Sequence, residues 1–326
     1  QLGVEPTLRM HVLASIASGF TPDRKSLFDF FGSTFFAYEY GTEGDFRRKV
    51  ERILRQLGGW GFIKAKSGSA GSEFVSAAEL SEDRKLGTRG SLGANLRPTS
   101  QSEVRAEDRL IATPLGARVS ELYIDPETAH DFVLTFEDKE RIKRVNTFGL
   151  LELLCATTEL RPLLRVSKRE EDEIWGKYYE NEGKLLTDQK DSDYLDRFKT
   201  ALMLGDWIDE KTEDSILETY GLAPGIQRVK LDSAEWLAYS CSELVPYMKT
   251  DPSLRKEFQG LQMRLKHGIK EELMPLVAIR GVGRVRARKL FNSGLKTKTD
   301  LQKADVKRLG ELVGRKVAEN IKKELS

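Results

Sequence analysis

The sequence predicts a mainly α protein with three parts: a winged helix with a small β-wing, a helical bundle, and a terminal helix-hairpin-helix domain. Three observations predict this. An amphipathic helix from Gly44 ends at Gly58-Gly59 and runs into an apolar segment, as a wing strand would follow its helix. Helical periodicity punctuated by Gly and Pro then fills residues 127–267. Last, Gly283, Ala287 and Leu290 recur as Gly314, Ala318 and Ile321 at a period of 31.

The first part covers residues 1–126. Leu8 to Phe20 is apolar at helical spacing, and Thr21-Pro22-Asp23 stops one helix and starts another. In the third helix Phe46, Val50, Ile53, Leu54 and Leu57 form one apolar face, with Arg47, Arg48, Lys49, Arg52 and Arg55 elsewhere on it. Trp60 to Ile63 reads as a short strand. Residues 66–107 are rich in Gly, Ser and Ala and show no period, as expected of a mobile wing tip. The returning strand is expected over Arg109–Thr113 and a helix over Pro114–Leu122.

The bundle is expected over 127–267, with helices at about 127–144, 147–158, 167–182, 191–206, 211–219, 225–249 and 252–267. Residues 268–326 form the third part. Each copy of the repeat fits helix, glycine turn, helix, and the second copy lacks a clean Gly-x-Gly.

Charge is distributed unevenly. Residues 268–326 hold 15 Lys/Arg against 7 Asp/Glu, a net of +8, whereas residues 1–267 hold 38 against 44, a net of −6. A basic end on a mildly acidic body suits a polyanion partner. Hydrophobic residues make up 39% of the chain, enough for real cores, yet no apolar run is long enough to span a membrane. No signal peptide opens the chain, and a cytoplasmic location is expected. Cys155 and Cys241 lie in apolar helical patterns and read as buried thiols, while His11, His130 and His267 have no metal-ligand spacing.

The chemistry points to a nucleic-acid strand. In Ile279–Phe291 a Gly281-Val282-Gly283 turn sits among Arg280, Arg284, Arg286, Arg288 and Lys289. A glycine turn lets backbone approach a ligand, and the free N–H groups of the next helix bind phosphate oxygens. Such a site reads the backbone and not the base sequence. The competing reading is an αα-hairpin that only packs, and the second copy fits packing better than binding. The helix 225–249, about 36 Å long at 1.5 Å per residue, has a core stripe of Leu237, Cys241, Leu244 and Met248. Trp236 is off that stripe, near Val229, Ser240, Glu243 and Tyr247, where an indole can stack a base or, as tryptophan more usually does, pack buried on a neighbouring helix. Arg228 and Lys230, about two turns earlier, are candidates for a phosphate. The cations of helix 44–57 give only a weak signal for reading a major groove.

No G-x-x-x-x-G-K-[ST] phosphate loop occurs, no nucleophile elbow stands out, and Glu170-Glu171-Asp172-Glu173 lies in an amphipathic helix without a preceding apolar strand. The sequence assigns this chain no catalytic residue, no metal and no cofactor of its own.

Taken in order, LRMHVLASIASGF, STFFAYEY, LGARVSELYIDPETA, SAEWLAYSCSEL and IRGVGRVRARKLF resemble the C-terminal half of the archaeal Ski-type superfamily-2 DNA repair helicases, relatives of the helicase part of polymerase theta. The resemblance covers nearly all of the chain outside 66–107. It implies an ATP-driven 3′→5′ helicase acting at stalled forks, whose RecA-like motor domains would bind ATP and Mg and would precede this chain. The opening Gln1 accords with an excised piece. The resemblance further implies that Trp236 on a ratchet helix stacks single-stranded DNA, and that Arg284, Arg286 and Arg288 grip the exiting strand. The ratchet helix's basic position aligns with Val229, leaving Arg228 or Lys230 to serve. Expected partners are single-stranded and forked DNA, the motor domains, and replication or repair proteins, with no membrane.

Two other readings are weighed. A helix-hairpin-helix glycosylase or lyase would use an Asp downstream of the hairpin, and Asp300 lies 17 residues after Gly283. A protein-interaction module would use the winged helix or the bundle as a docking surface.

Overall fold

The computed structural model describes residues 4–33, 43–66, 109–187 and 192–325. They hold seventeen α-helices and one two-stranded sheet, so the chain is mainly α as expected. The chain divides into two compact units, residues 1–133 and 134–326.

The first unit opens with α1 (Val4–Ala17), α2 (Arg24–Gly32) and α3 (Glu43–Gly59), followed by β1 (Ile63–Lys66), β2 (Arg109–Ala112) and α4 (Pro114–Leu122). Asp23 starts α2 with a capping box, accepting from the Ser26 N–H at 2.8 Å. The face read on α3 is the buried one: Phe46, Val50, Ile53, Leu54 and Leu57 are all in the core. β1 and β2 pair antiparallel, from Ile63 opposite Ala112 to Lys66 opposite Arg109. The first strand starts three residues later than expected. Gly61, at φ +76°, turns the chain out of α3, and the Phe62 N–H still donates back to the Leu57 carbonyl at 2.9 Å. Most of the wing segment, and residues 34–40 of STFFAYEY, lie outside the described residues.

Two interactions hold the end of this unit. Arg9, buried on α1, makes a fork to Asp125 at 2.9 and 2.8 Å and reaches Glu127 at 2.5 Å. His130 stacks on Trp60, with ring centroids 4.9 Å apart. Burial pushes the His130 pKa down to about 4, against an ordinary 6.5. A folded pKa below the unfolded one means that stability is present above pH 6.5 and is lost as pH falls toward 4. His130 is only half-buried, so screening leaves roughly 1 kcal/mol of the effect. Thermal midpoints should fall between pH 6.5 and 4, and His130→Asn should flatten that fall. An imidazole that titrates near its ordinary pKa by NMR would contradict this.

The second unit starts within α5 (Pro126–Glu137) and continues through α6 (Lys139–Ile142), α7 (Thr147–Cys155), α8 (Glu171–Asn181), α9 (Tyr194–Ile208), α10 (Glu213–Tyr220), α11 (Pro224–Leu244) and α12 (Leu254–His267). These follow the expected helices with two corrections. The helix expected over 127–144 breaks at Asp138, whose side chain caps α6. The helix expected to reach residue 249 ends at Leu244, since Pro246 has no N–H to donate and its ring would strike the preceding turn. At 21 residues α11 is about 31 Å long, and Tyr247 lies in a 3₁₀ turn beyond it. The stripe Leu237, Cys241, Leu244 and Met248 is buried, as are both thiols, Cys155 and Cys241.

The remainder comprises α13 (Met274–Val277), α14 (Arg284–Asn292), α15 (Lys298–Lys303), α16 (Val306–Val313) and α17 (Arg315–Leu325). The 31-residue repeat is a packing repeat: Ala287 and Leu290 on α14, and Ala318 and Ile321 on α17, are all fully buried in one core. Gly281 (φ +84°) and Gly314 (φ +90°) make the two turns in backbone that suits glycine. In the first hairpin Gly281 turns the chain and Gly283 caps α14. In the second, Gly314 both ends α16 and precedes α17.

Candidate nucleic-acid interface

The first candidate surface is the outer face of α11. Trp236 is half-buried there, with Val229 (65% exposed) and Tyr239 (40%) showing apolar surface near it. Two ion pairs flank the indole: Arg228 with Asp232 at 2.8 Å, one turn before it, and Glu243 with Arg255 at 2.9 Å, two turns after it. Ser240, expected on this face, is fully buried instead. The face is therefore apolar at its centre and close to neutral at its edges, which suits the flat face of a base better than a phosphate.

Lys230 requires a correction. It is buried, and its Nζ donates to the Leu160 carbonyl at 3.4 Å and to the Pro162 carbonyl. Burial lowers its pKa. It holds the loop after α7 and is withdrawn from solvent. The spacing carried this signal, since Lys230 stands seven residues before Leu237 on the core stripe. Of the two basic candidates, Arg228 is the exposed one.

The second surface is the first hairpin. Arg280, Gly281, Gly283, Arg286 and Lys289 are exposed, and the end of α14 at Gly283 has no side-chain cap. Its first N–H groups are thus open to an anion. The Arg286 guanidinium donates to the Gly281 carbonyl at 3.0 Å, which folds it over the turn. Arg284 and Arg288 behave differently. Arg284 lies over the Trp207 ring at 5.0 Å, and Arg288 makes a fork to Glu210 at 2.9 and 2.5 Å. Helical geometry sorts the four cations of α14: residues 284 and 288 share one face, and 286 and 289 lie away from it.

The other expected centres do not assemble. Asp300 accepts from the Thr297 and Lys296 N–H groups as the capping box of α15, a structural role that leaves no base-pocket chemistry for it. On α3, Arg48 pairs with Asp45, Arg52 with Glu5, and Arg24 of α2 with Glu51, so that face carries mixed charge. Among the described residues no group of His, Cys, Asp and Glu could hold a metal ion, and no helix is long and apolar enough to cross a membrane.

The bundle thus carries a half-buried indole on its long helix and is followed by tandem glycine-turn hairpins. Residues 148–268 match the family model of archaeal helicase domain 4, and residues 273–326 that of the SAM-like helix-hairpin-helix tandem. Along nearly its whole length the chain is similar to ATP-dependent DNA helicases Hel308. It is 32% identical to that of Methanococcus vannielii over 97% of this chain and 42% of the relative. For Pyrococcus abyssi the figures are 32%, 100% and 40%, and for Thermococcus kodakarensis 31%, 99% and 26%. The chain spans between about a quarter and two fifths of these relatives' length.

Proposed function

We propose that this chain is the strand-holding region of an ATP-dependent 3′→5′ DNA helicase that works in the cytoplasm on stalled or forked DNA. Three parts share the work: a winged helix (1–126), a ratchet bundle (127–267) and a helix-hairpin-helix domain (268–326). Single-stranded DNA lies along α11 with a base on Trp236, and its phosphates meet the turn of the first hairpin. ATP and Mg are handled by motor domains elsewhere in the parent protein, as no ATP-binding loop occurs in this sequence.

The observation that carries this reading is the half-buried indole on the outer face of α11, in a unit that also bears an uncapped, cation-rich helix start at Gly283. The indole is half-buried on a helix of the bundle, which leaves part of it exposed for stacking. Phosphate contacts to the hairpin add affinity without base preference.

The test is binding of a labelled oligothymidylate to the purified chain across a salt series. Each neutralised phosphate of a single strand contributes about −0.7 to the slope of log K against log salt. Contacts from Arg280, Arg286 and Lys289 predict a slope near −2, about three times that value. No binding at low salt, or a flat salt dependence, would overturn the reading. Duplex bound more tightly than single strand would favour the winged helix as the reader.

A further inference from the structure

Two cations of the first hairpin are already engaged by the neighbouring helices. The Arg284 guanidinium covers Trp207 and donates to the Lys211 carbonyl at 2.7 Å. Arg288 grips Glu210 through two nitrogens and also reaches Glu272 at 2.9 Å. Glu210 sits just past α9 at φ +72°, in the left-handed region that non-glycine residues rarely adopt. Its carboxylate also accepts from the Lys270 N–H at 3.2 Å. Burial alone would raise the Glu210 pKa, but the hydrogen bonds from Arg288 and Lys270 hold it below the usual carboxylate range. Gly268 completes the contact. It has φ +61°, and a Cβ there would fall 2.6 Å from the Trp207 ring and 3.1 Å from the Arg284 guanidinium.

We propose that Glu210 is a positioning residue: it withdraws Arg288 from the strand-binding set and fastens the first hairpin to the α9–α10 turn, leaving phosphates to Arg280, Arg286 and Lys289. This rests on the function proposed above and refines it. A guanidinium held in a fork by a carboxylate is neutralised in a geometry that phosphate would otherwise take. Such a cation neutralises no strand phosphate and so releases none of the strand's condensed counterions, adding nothing to the salt slope of strand binding. Arg284 is likewise committed, by its stack on Trp207. The exposed face of α14 is then the strand-facing one, and the opposite face keeps the hairpin in fixed register with the bundle.

The test compares wild type with Arg286→Ala, Arg288→Ala, Glu210→Gln and the swap Glu210→Arg/Arg288→Glu. Oligothymidylate affinity across salt is read together with the thermal midpoint. Arg286→Ala should make the slope shallower by about 0.7 and leave the midpoint in place. Arg288→Ala should keep the wild-type slope, Glu210→Gln should keep or steepen it by loosening Arg288, and each should lower the midpoint by roughly 3–8 °C, non-additively when combined. The swap should recover most of that loss. A slope made shallower by Arg288→Ala in the wild-type background would overturn the proposal, because that result places Arg288 on the strand. If wild type does not bind the oligonucleotide, the function proposed above falls. The midpoints alone then decide the latch, with additive losses and no recovery in the swap counting against it.

Discussion

Gly116→Ala is expected to destabilise residues 1–133 strongly. A Cβ at this position would lie 1.9 Å from the Phe62 carbonyl oxygen and 2.7 Å from its carbon. Those are backbone atoms, so no side-chain rotation relieves the clash. Nor can the backbone simply retreat. The Thr113 N–H donates to the Phe62 carbonyl at 2.9 Å, the Thr113 hydroxyl donates to the Gly61 carbonyl at 2.7 Å, and that hydroxyl accepts the Gly116 N–H at 3.0 Å as the cap of α4. Overpacking costs about 1–3 kcal/mol, and each of these hydrogen bonds contributes about 1 kcal/mol, so a loss on the order of 4 kcal/mol is expected. Denaturant titration reads it as a lower midpoint. Gly58→Ala is the control: it sits in α3 with nothing within 4 Å of an added Cβ, so its midpoint should hold or rise slightly. A Gly116→Ala chain with an unshifted midpoint would contradict the packing described for this corner.

Trp236→Ala is expected to weaken single-strand binding about 5- to 150-fold, the equivalent of roughly 1–3 kcal/mol for one stacked base. The indole carries no charge, so affinity should drop by a similar factor at every salt concentration. Trp236→Phe should lose less, since a smaller ring still offers a flat face. The neighbouring ion pairs are the reason a base and not a phosphate is the proposed contact. Asp232 and Glu243 stand near the indole with their charges balanced by Arg228 and Arg255, so no net positive charge draws a phosphate to this spot.

Much of this architecture was legible because it is local. The α3 face repeats at helical spacing, and those same five residues are buried. The bounds of α4 follow from Thr113 as cap and Pro114 at the first position, and α4 runs from Pro114 to Leu122 as expected. The 31-residue repeat works because small and branched residues at equivalent positions fill one core. Pro246 was an equally local signal, and it ends α11 five residues before the expected limit.

The rest depends on pairs far apart in sequence. Arg9 and Asp125 are 116 residues apart, and Arg288 and Glu210 are 78 apart. Neither pair leaves a periodic trace, because a single charge on a helix reads as solvated until its partner is known. For that reason the five cations of Ile279–Phe291 looked equivalent. Helical spacing separates residues 284 and 288 from 286 and 289, but only the fold supplies the carboxylate and the indole that occupy the first pair.

The most direct measurement of the central claim is oligothymidylate affinity across a salt series for wild type, Trp236→Ala and Arg286→Ala. The account predicts lower affinity with an unchanged slope for Trp236→Ala, and a slope shallower by about 0.7 for Arg286→Ala. Wild-type affinity and slope in both variants would contradict it.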